Sequence, residues 1–352
     1  MRKIYYIALL FIAFLGSACE RTLDFKVPDT ETDTDIIINA FAVEGTFFKV
    51  YLNRAYLIDK VPSIQYYDYQ HALFFKDDFT TDYQTYDYYK RTAILDADIE
   101  INVNGQKTYY MSASKDSLGY VSNYVPQAGD YIIVKARKGK NEVYSETIMP
   151  AKPKIEIINH EVLAENPYQN MNGLVTSSDT IMRLTCRISD TGGQNYYRLR
   201  IRNERTAYLG VEDEVYYIMQ DVFFSDDDLF MDDRLNESFG GWPAYFSNVF
   251  DNSILNGKEY TFTLNSPKAT LNKEFIEVSK TSYTGIEIPP RVMVELQAIS
   301  PELYYYLKSV QLYRVTASDT YAEPVQIYGN VEGGWGIFGA LSYDRHFVEY
   351  GE

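Results

Sequence analysis

The sequence predicts a mainly β protein: an N-terminal immunoglobulin- or transthyretin-like β-sandwich, followed by a second β-rich domain with one short helix. Short segments that alternate apolar with polar residues recur along the chain, and this period is typical of half-buried strands. Asn104 and Gly105 lie between two such segments and are typical of a type I′ hairpin turn. Pro150 and Pro153 interrupt the pattern and predict a boundary between the two domains.

The first residues have the layout of an export signal. Arg2 and Lys3 precede the apolar run Ile4–Leu15, which is shorter than the roughly 20 apolar residues that a bilayer span needs. Small residues follow this run, as a signal peptidase requires. We therefore predict a lipoprotein signal peptide over residues 1–18.

Cys19 is the predicted site of lipid attachment. A cysteine directly after small residues is where a bacterial lipoprotein carries its acyl chains, which suffice for stable membrane anchoring. Leu15 lies one position further from the cysteine than is usual, so cleavage after Ala18 by an ordinary signal peptidase is the alternative. The polar residues 19–32 are predicted to be a tether.

The first domain is predicted over residues 33–150 as a sandwich of about seven short strands. Apolar residues alternate with polar ones in most of its strand segments, and the first segment is a continuous apolar run. The segments are Asp35–Val43, Phe48–Leu52, Ala97–Val103, Gly129–Ala136 and Val143–Ile148.

Residues 59–91 interrupt this domain with a segment rich in tyrosine. The segment has few aliphatic residues and no clear period. A surface loop is one interpretation, and an aromatic contact surface is the other, because long insertions in compact domains are often functional. The tyrosines of that surface would be Tyr66, Tyr67, Tyr69, Tyr83, Tyr86, Tyr88 and Tyr89.

The second domain is predicted over residues 155–350 and is again mostly strands. Its strand segments are Met182–Ile188, Tyr197–Ile201, Val215–Met219, Tyr260–Leu264 and Val292–Ile299. A helix is predicted next, because Ser300 is a capping residue and Pro301 suits the first helical position. One face of this helix is apolar and is expected to pack on a sheet, with a partner groove as the alternative. That face consists of Leu303, Leu307 and Val310.

Cysteine use is sparse. If Cys19 is lipidated, Cys186 has no partner for an intrachain disulfide. Cys186 alternates with Thr185 and Arg187, so its thiol is expected to be buried and inert rather than reactive.

The overall charge excludes some partners. The 352 residues carry a formal net charge of −16, which argues against binding of nucleic acid and against electrostatic adhesion to anionic lipid. The chain has 34 tyrosines and only 2 tryptophans. Tyrosine suits both pleated strands and contact surfaces, because it combines a large ring with a polar tip.

Five arginines form an unexpected stripe in so acidic a chain. If the strand over 182–188 pairs with the strand over 197–201 through the turn 190–195, all five share one exposed face and need acidic partners or an anion. Glu212, Asp213 and Glu214 could supply structural ion pairs from a following strand, and an anionic ligand or partner is the alternative. The arginines are Arg183, Arg187, Arg198, Arg200 and Arg202.

Two motifs imitate ligand sites. Ser225–Asp233 resembles a calcium loop, but Phe230 and Met231 stand where a ligand and a glycine are required, so a solvated acidic loop is predicted. Gly334–Gly339 has the spelling of a dinucleotide motif without the long helix that must follow, so it is predicted to allow close backbone packing. No metal and no cofactor are predicted.

No catalytic motif stands out. The three histidines, His71, His160 and His346, are scattered along the sequence. The motifs of serine hydrolases, zinc proteases and nucleotide-binding loops are absent from it. We therefore expect no enzyme activity; the alternative, a hydrolase, would need groups such as His346 and Asp344 to converge with a carboxylate in one pocket.

Several stretches resemble the bacterial domain of unknown function 4249 family. The resemblance covers most of the chain after the signal, and residues 59–91 depart from it. It implies an outer-membrane lipoprotein that is commonly encoded near TonB-dependent receptors, with no established activity or catalytic residues. The stretches that carry it are Ile36–Phe41, Ile148–Pro150, Asp251–Lys258, Ser300–Leu307 and, most specifically, Glu323–Gly339.

Together these features predict a lipid-anchored outer-membrane accessory or interaction protein without catalysis. Its expected partners are the membrane, through Cys19, and an outer-membrane protein such as a TonB-dependent receptor or a surface complex. The body could face either the periplasm or the cell surface. The alternative is a ligand-binding lipoprotein for a glycan, peptide or anion, which the tyrosines of residues 59–91 or the arginine stripe would hold.

Overall fold

The computed structural model describes residues 36–54, 92–114, 118–163, 181–208, 215–221, 223–232, 247–267, 288–316 and 325–350. Residues 33–352 form one compact unit. The prediction of a mainly β fold is confirmed for the described residues. The predicted helix is 16 residues long, so it is not as short as expected, and a 3₁₀ helix spans Asp228–Phe230.

Each predicted strand segment overlaps a described strand, and the described residues contain six further strands that were not among the predicted segments. In chain order the described strands are β1 (Ile36–Val43), β2 (Lys49–Arg54), β3 (Asp98–Val103), β4 (Lys107–Tyr110), β5 (Ser112–Ser114), β6 (Gly119–Val121), β7 (Tyr131–Lys138), β8 (Asn141–Ile148), β9 (Lys154–Leu163), β10 (Ile181–Ser189), β11 (Tyr196–Tyr208), β12 (Val215–Asp221), β13 (Val249–Asp251), β14 (Glu259–Pro267), β15 (Ile288–Ile299) and β16 (Trp335–Glu349). Helix α1 spans Pro301–Thr316.

The described strands form three sheets. Sheet A has the order β12-β11-β15-β16-β1-β2-β6-β5, with β13 also paired to β11. Sheet B has the order β4-β3-β7-β8, and sheet C has the order β14-β10-β9. Strand β16 pairs in parallel with β1 and antiparallel with β15, so strands from both sides of Pro150 share sheet A. The predicted domain boundary at Pro150 stays a prediction.

Sheets B and C cover the same face of sheet A at its two ends. The first sandwich encloses a core in which β1 and β2 of sheet A meet β3, β7 and β8 of sheet B. The second sandwich encloses a core in which β11 and β15 of sheet A meet β10 and β14 of sheet C. Strand β16 contributes Phe338 and Ala340 to the first core and Val348 to the second.

Local details also follow the sequence. Asn104 and Gly105 have φ angles of 55° and 67°, as a type I′ turn between β3 and β4 requires. Cys186 points into the second core and is fully buried, as predicted. Burial raises the pKa of its thiol to about 12, which keeps the thiol protonated and unreactive.

Helix α1 packs on the opposite face of sheet A, as predicted. Ser300 Oγ accepts a hydrogen bond from Leu303 N at 3.4 Å, so Ser300 caps the helix. The same Oγ accepts from Ala340 N at 3.2 Å, which ties the helix start to β16. Leu303 and Leu307 pack against sheet residues such as Ile299 and Leu341 in a third, smaller core.

Candidate interaction surfaces

Some predicted site residues lie outside the part of the chain that the structure describes. These are the lipid-attachment residue Cys19 and the insertion tyrosines Tyr66, Tyr67, Tyr69, Tyr83, Tyr86, Tyr88 and Tyr89. His71 and Glu212–Glu214 lie outside it as well. The predictions that rest on them stay predictions.

The predicted pairing of the two arginine-bearing strands is wrong. Strand β10 pairs with β9 and β14 in sheet C, whereas β11 pairs with β12, β13 and β15 in sheet A. Both strands point their apolar residues into the second core between the two sheets. Because side chains alternate across a strand, the two sets of arginines point away from each other. Arg183 and Arg187 lie on sheet C, and Arg198, Arg200 and Arg202 lie on the helix-bearing face of sheet A.

The arginines of sheet C contact carboxylates on neighbouring strands. Arg183 Nη1 lies 3.2 Å from Glu161 Oε1, and its Nε donates to Asn265 Oδ1 at 3.2 Å. Arg187 Nη2 donates to Glu156 Oε2 at 2.6 Å. Arg187 and Lys154 lower the pKa of Glu156 to about 2. These contacts favour the structural interpretation of Arg183 and Arg187 over an anion site.

The arginines of sheet A lie in a more buried environment. Arg200 and Arg202 are each only 7% exposed. Arg200 is directly opposite Glu295 of β15, which is 1% exposed and accepts a hydrogen bond from Arg345 Nε at 2.6 Å. A carboxylate buried this deeply needs a cationic partner, and Arg345 supplies it. This face of sheet A therefore contains a buried carboxylate paired with a partly exposed arginine, which the sequence did not predict.

The solvent side of α1 carries an exposed aromatic surface. Tyr305 and Tyr313 are two turns apart on the helix and are 47% and 46% exposed. Tyr328 lies beside them, with its ring centroid 5.7 Å from that of Tyr305, and Ile327 is exposed next to it. These four residues are named the helix-side patch: Tyr305, Tyr313, Ile327 and Tyr328.

Inner tyrosines and a polar contact hold the helix-side patch in place. Tyr305 contacts the rings of Tyr304 and Tyr196, with centroids 5.4 Å and 6.1 Å away. Ser309 Oγ accepts a hydrogen bond from Tyr328 N at 2.9 Å, which fixes the segment after the helix against it. The patch is thus a supported surface, because buried or half-buried groups position its exposed rings.

The C-terminal glycines serve close backbone packing, as predicted. A Cβ at Gly336 would lie 1.9 Å from the Ile38 carbonyl oxygen of β1, and Gly336 has φ +115°. A Cβ at Gly339 would lie 2.8 Å from Leu303 Cβ of α1. Gly336 and Gly339 belong to β16, so the stretch does not open a helix as a dinucleotide site would.

Two of the described acidic residues of the calcium-like loop, Asp227 and Asp232, have structural partners. Asp227 caps the short 3₁₀ helix, its Oδ1 accepting from Leu229 N at 3.0 Å. Asp232 accepts a hydrogen bond from Lys308 Nζ of α1 at 2.7 Å. Across the described ranges, no group of three or more potential ligands could hold a metal ion.

The two histidines among the described residues belong to different sheets. His160 lies on β9 of sheet C, and His346 lies on β16 of sheet A. His346 Nε2 is 3.3 Å from Asp344 Oδ2, which also accepts from Ile155 N at 3.1 Å. Asp344 thus binds the start of β9, which gives it a structural task besides its contact with His346.

The comparison with protein families covers nearly the whole chain. The family described as Domain of unknown function (DUF4249) matches residues 20–346. The chain belongs to the DUF4249 family. No curated protein matches it. A solved structure from Corynebacterium diphtheriae, described as a membrane anchored protein, aligns with 9% identity and a TM-score of 0.17, covering 87% of this chain and 58% of that one. A likeness at this level carries no argument about fold or function.

The structure gives physical roles to stretches that suggested the DUF4249 family from sequence. Asn256 and Gly257 both have positive φ, and Gly257 N donates to Asp190 at 2.7 Å. Asn330 donates to the Phe338 carbonyl and accepts from Phe338 N, both at 2.9 Å, and so fixes the segment before β16. In these DUF4249 stretches, the contacts stabilise the fold.

The helix-side patch was not predicted from the sequence. The apolar face of α1 was predicted, but the tyrosines between those positions were not. Tyr305 and Tyr313 occupy positions that are polar in an ordinary surface helix. That departure from the amphipathic pattern was the signal that could have indicated a contact surface.

Proposed function

We propose that this chain is a non-catalytic, lipid-anchored accessory protein of the outer membrane that binds a protein partner through the helix-side patch. The observation that carries the proposal is the group of exposed rings at Tyr305, Tyr313 and Tyr328. Tyrosine is enriched at protein interfaces because its ring buries a large area at low entropic cost and its hydroxyl still bonds water or a partner. A TonB-dependent receptor or a surface complex is the proposed partner.

Acyl chains on Cys19 are the proposed attachment to the membrane. The sequence before Cys19 supports this, since it has the charge, apolar run and small residues of an export signal. Among the described residues, no helix combines the length and apolarity needed to cross a bilayer. The polar residues 19–32 would then separate the β body from the lipid.

The alternative is a ligand-binding lipoprotein for a glycan, peptide or anion. The carboxylate contacts of Arg183 and Arg187 reduce the support for an anion at those two residues. The tyrosines over residues 66–89 stay the proposed ligand-binding residues of this alternative. Both the proposal and its alternative assign no catalytic activity to this protein.

Affinity purification tests the partner proposal. The tagged full-length protein would be solubilised in mild detergent and compared with a Tyr305→Ser/Tyr313→Ser variant. We expect a reproducible outer-membrane partner with the wild type and its loss with the variant. Ile158→Ser is the matched control, because Ile158 is an exposed apolar residue on β9 of sheet C, on the opposite side of sheet A from α1.

Two results would contradict this proposal. Reproducible recovery of the wild type alone is one, and a partner retained by the double variant is the other.

The anchor is tested separately by feeding cells a labelled fatty acid. We expect label in the wild type and none in Cys19→Ala, which should also leave the membrane fraction.

A further inference from the structure

The outer face of sheet B carries tyrosines and charged groups in rows across its four strands. In one row Tyr110 is opposite Glu100, Glu100 is opposite Lys135, and Lys135 is opposite Tyr144. Three strand spacings of about 4.8 Å separate the backbones of Tyr110 and Tyr144 by about 14 Å. The outward residues of β3, β4, β7 and β8 are named the sheet B face, and its central members are Glu100, Tyr110, Tyr131, Lys135, Tyr144 and Glu146.

Two of the tyrosines are fixed in position by a shared carboxylate. The hydroxyls of Tyr131 and Tyr144 both donate to Glu146 Oε2. These hydrogen bonds lower the pKa of Glu146, so the acceptor stays ionised at neutral pH. A ring held in this way loses less conformational freedom when a ligand stacks on it. Tyr110 is 78% exposed, so nearly all of its ring is available.

A shallow hollow lies within this face. It is lined by residues from all four strands of sheet B, among them Glu100, Tyr110 and Lys135, and its volume is about 70 Å³. Charged groups of both signs, which can form hydrogen bonds, therefore surround this hollow beside the exposed ring of Tyr110.

The charges of the face select among ligand classes. Its carboxylates outnumber its cations, and Arg137 Nε is paired with Glu142 at 3.0 Å, so the face offers no net positive field to a phosphate or a nucleic acid. Ile133 and Ile148 are its aliphatic members, which is little for the apolar centre of a protein interface. Rings between hydroxyl-binding groups suit a sugar, whose C–H face stacks on an aromatic ring while its hydroxyls bond to carboxylate, amide and ammonium groups.

We propose that the sheet B face binds a neutral polysaccharide, with sugar rings stacked on Tyr110 and Tyr144 and hydroxyls bonded to Glu100 and Lys135 between them. Because the two tyrosines lie at opposite ends of one row, the ligand is a chain of several sugar units that runs across the strands. This inference goes beyond the proposed partner-binding role and uses a different surface, so either can fail alone.

Affinity electrophoresis of the full-length protein in detergent tests the proposal. The gels would contain soluble mannan, dextran or xylan as neutral probes and heparin as an anionic one. We expect retardation by at least one neutral polysaccharide and none by heparin. Tyr110→Ala and Tyr144→Ala should each weaken the retarding affinity by about fivefold to tenfold.

Two further variants separate stacking from folding. Tyr144→Phe keeps the ring and removes the bond to Glu146, so it should retain most of the affinity. Phe47→Ala removes an exposed ring that lies outside both proposed binding surfaces and should leave retardation unchanged. Circular dichroism melts should show the same midpoint for Tyr110→Ala and wild type, because the ring is largely in solvent.

Three outcomes would overturn the proposal. The first is that no neutral polysaccharide retards the wild type. The second is that retardation survives in a Tyr110→Ala/Tyr144→Ala double variant. The third is binding to a peptide array that the same double variant abolishes, which would reassign the face to protein recognition.

Discussion

The second sandwich has a buried carboxylate that links strands of its two sheets, whereas the first has a close backbone contact between β1 and β16 within sheet A. Asp190 is 9% exposed and accepts four hydrogen bonds. Its donors are Tyr197 Oη, Asn195 Nδ2, Asn252 Nδ2 and Gly257 N, the last two being 62 and 67 residues further along the chain. Asp190 therefore joins the turn between β10 and β11 to the turn before β14.

The first sandwich has a similar but more local group. Asp130 accepts from Tyr124 Oη at 2.6 Å, Asn104 Nδ2 at 2.9 Å and Gln127 N at 3.0 Å. Its donors lie at most 26 residues away, and its carboxylate is only half-buried. At this end of the molecule, strand β16 approaches β1 at Gly336 instead. The second sandwich therefore depends on hydrogen bonds to the buried carboxylate of Asp190. In the first, Gly336 has no side chain, and this lets β16 approach β1.

The largest effect is expected at Gly336. Gly336→Ala would place Cβ 1.9 Å from the Ile38 oxygen and would also force a residue with a side chain to φ +115°. Backbone must move to relieve this clash, so we expect a loss of about 4 kcal/mol or more in unfolding free energy by urea titration. Gly139→Ala is the control, because φ there is +62° but nothing lies within 4 Å. It should cost only about 1 kcal/mol, and equal losses would contradict the clash.

The next largest effect is expected from removing a carboxylate, and the loss in unfolding free energy should be larger at Asp190 than at Asp130. Asp190→Ala leaves four donors without their acceptor in a buried site, so we expect a loss of about 3 kcal/mol. Asp130→Ala should cost about 1 to 2 kcal/mol, because water can reach the donors that it leaves. Asp226→Ala removes an exposed carboxylate and should change unfolding free energy by less than about 0.5 kcal/mol. A larger loss for Asp130→Ala than for Asp190→Ala would refute the comparison.

Much of the fold could be predicted because it is encoded locally. The type I′ turn needs only Asn104 and Gly105, and the capped start of α1 needs only Ser300 and Pro301. The alternation of apolar and polar residues correctly predicted that Cys186 is buried in a core. Each of these features depends on residues that are neighbours in sequence, so the sequence alone was sufficient.

The wrong pairing of the arginine-bearing strands shows that local patterns do not predict which sheet a strand joins. Strands β10 and β11 are joined by a short turn, and such strands usually pair as a hairpin. Here the turn crosses from sheet C to sheet A, and the bonds that hold it there come from Asn252 and Gly257 to Asp190. Alternation cannot distinguish two strands in one sheet from two strands that face each other across a core.

The pH dependence of unfolding free energy gives a further test of the role of Asp190 in the second sandwich. Burial raises the pKa of Asp190, but its hydrogen bonds outweigh burial, so the pKa lies below its ordinary value. A lowered pKa in the folded state adds stability above the unfolded pKa, about 3.9, that is lost as the pH falls through it toward the folded value. The gap in unfolding free energy between wild type and Asp190→Ala should therefore narrow from pH 7 to pH 3. A gap that is constant or widens would mean that the ionised carboxylate is not what stabilises the turn.

The smallest effect is expected from single tyrosine hydroxyls. Tyr197 and Tyr124 are both buried rings whose hydroxyls donate to Asp190 and Asp130. Tyr197→Phe should cost about 1.5 kcal/mol, since water cannot replace the lost donor, and Tyr124→Phe about 0.5 kcal/mol. In a double-mutant cycle with Asp190→Ala, Tyr197→Phe should lose most of its effect, because the hydroxyl has no acceptor left. If the two changes simply add, the hydroxyl contributes through packing rather than through Asp190, and the polar account of the second sandwich fails.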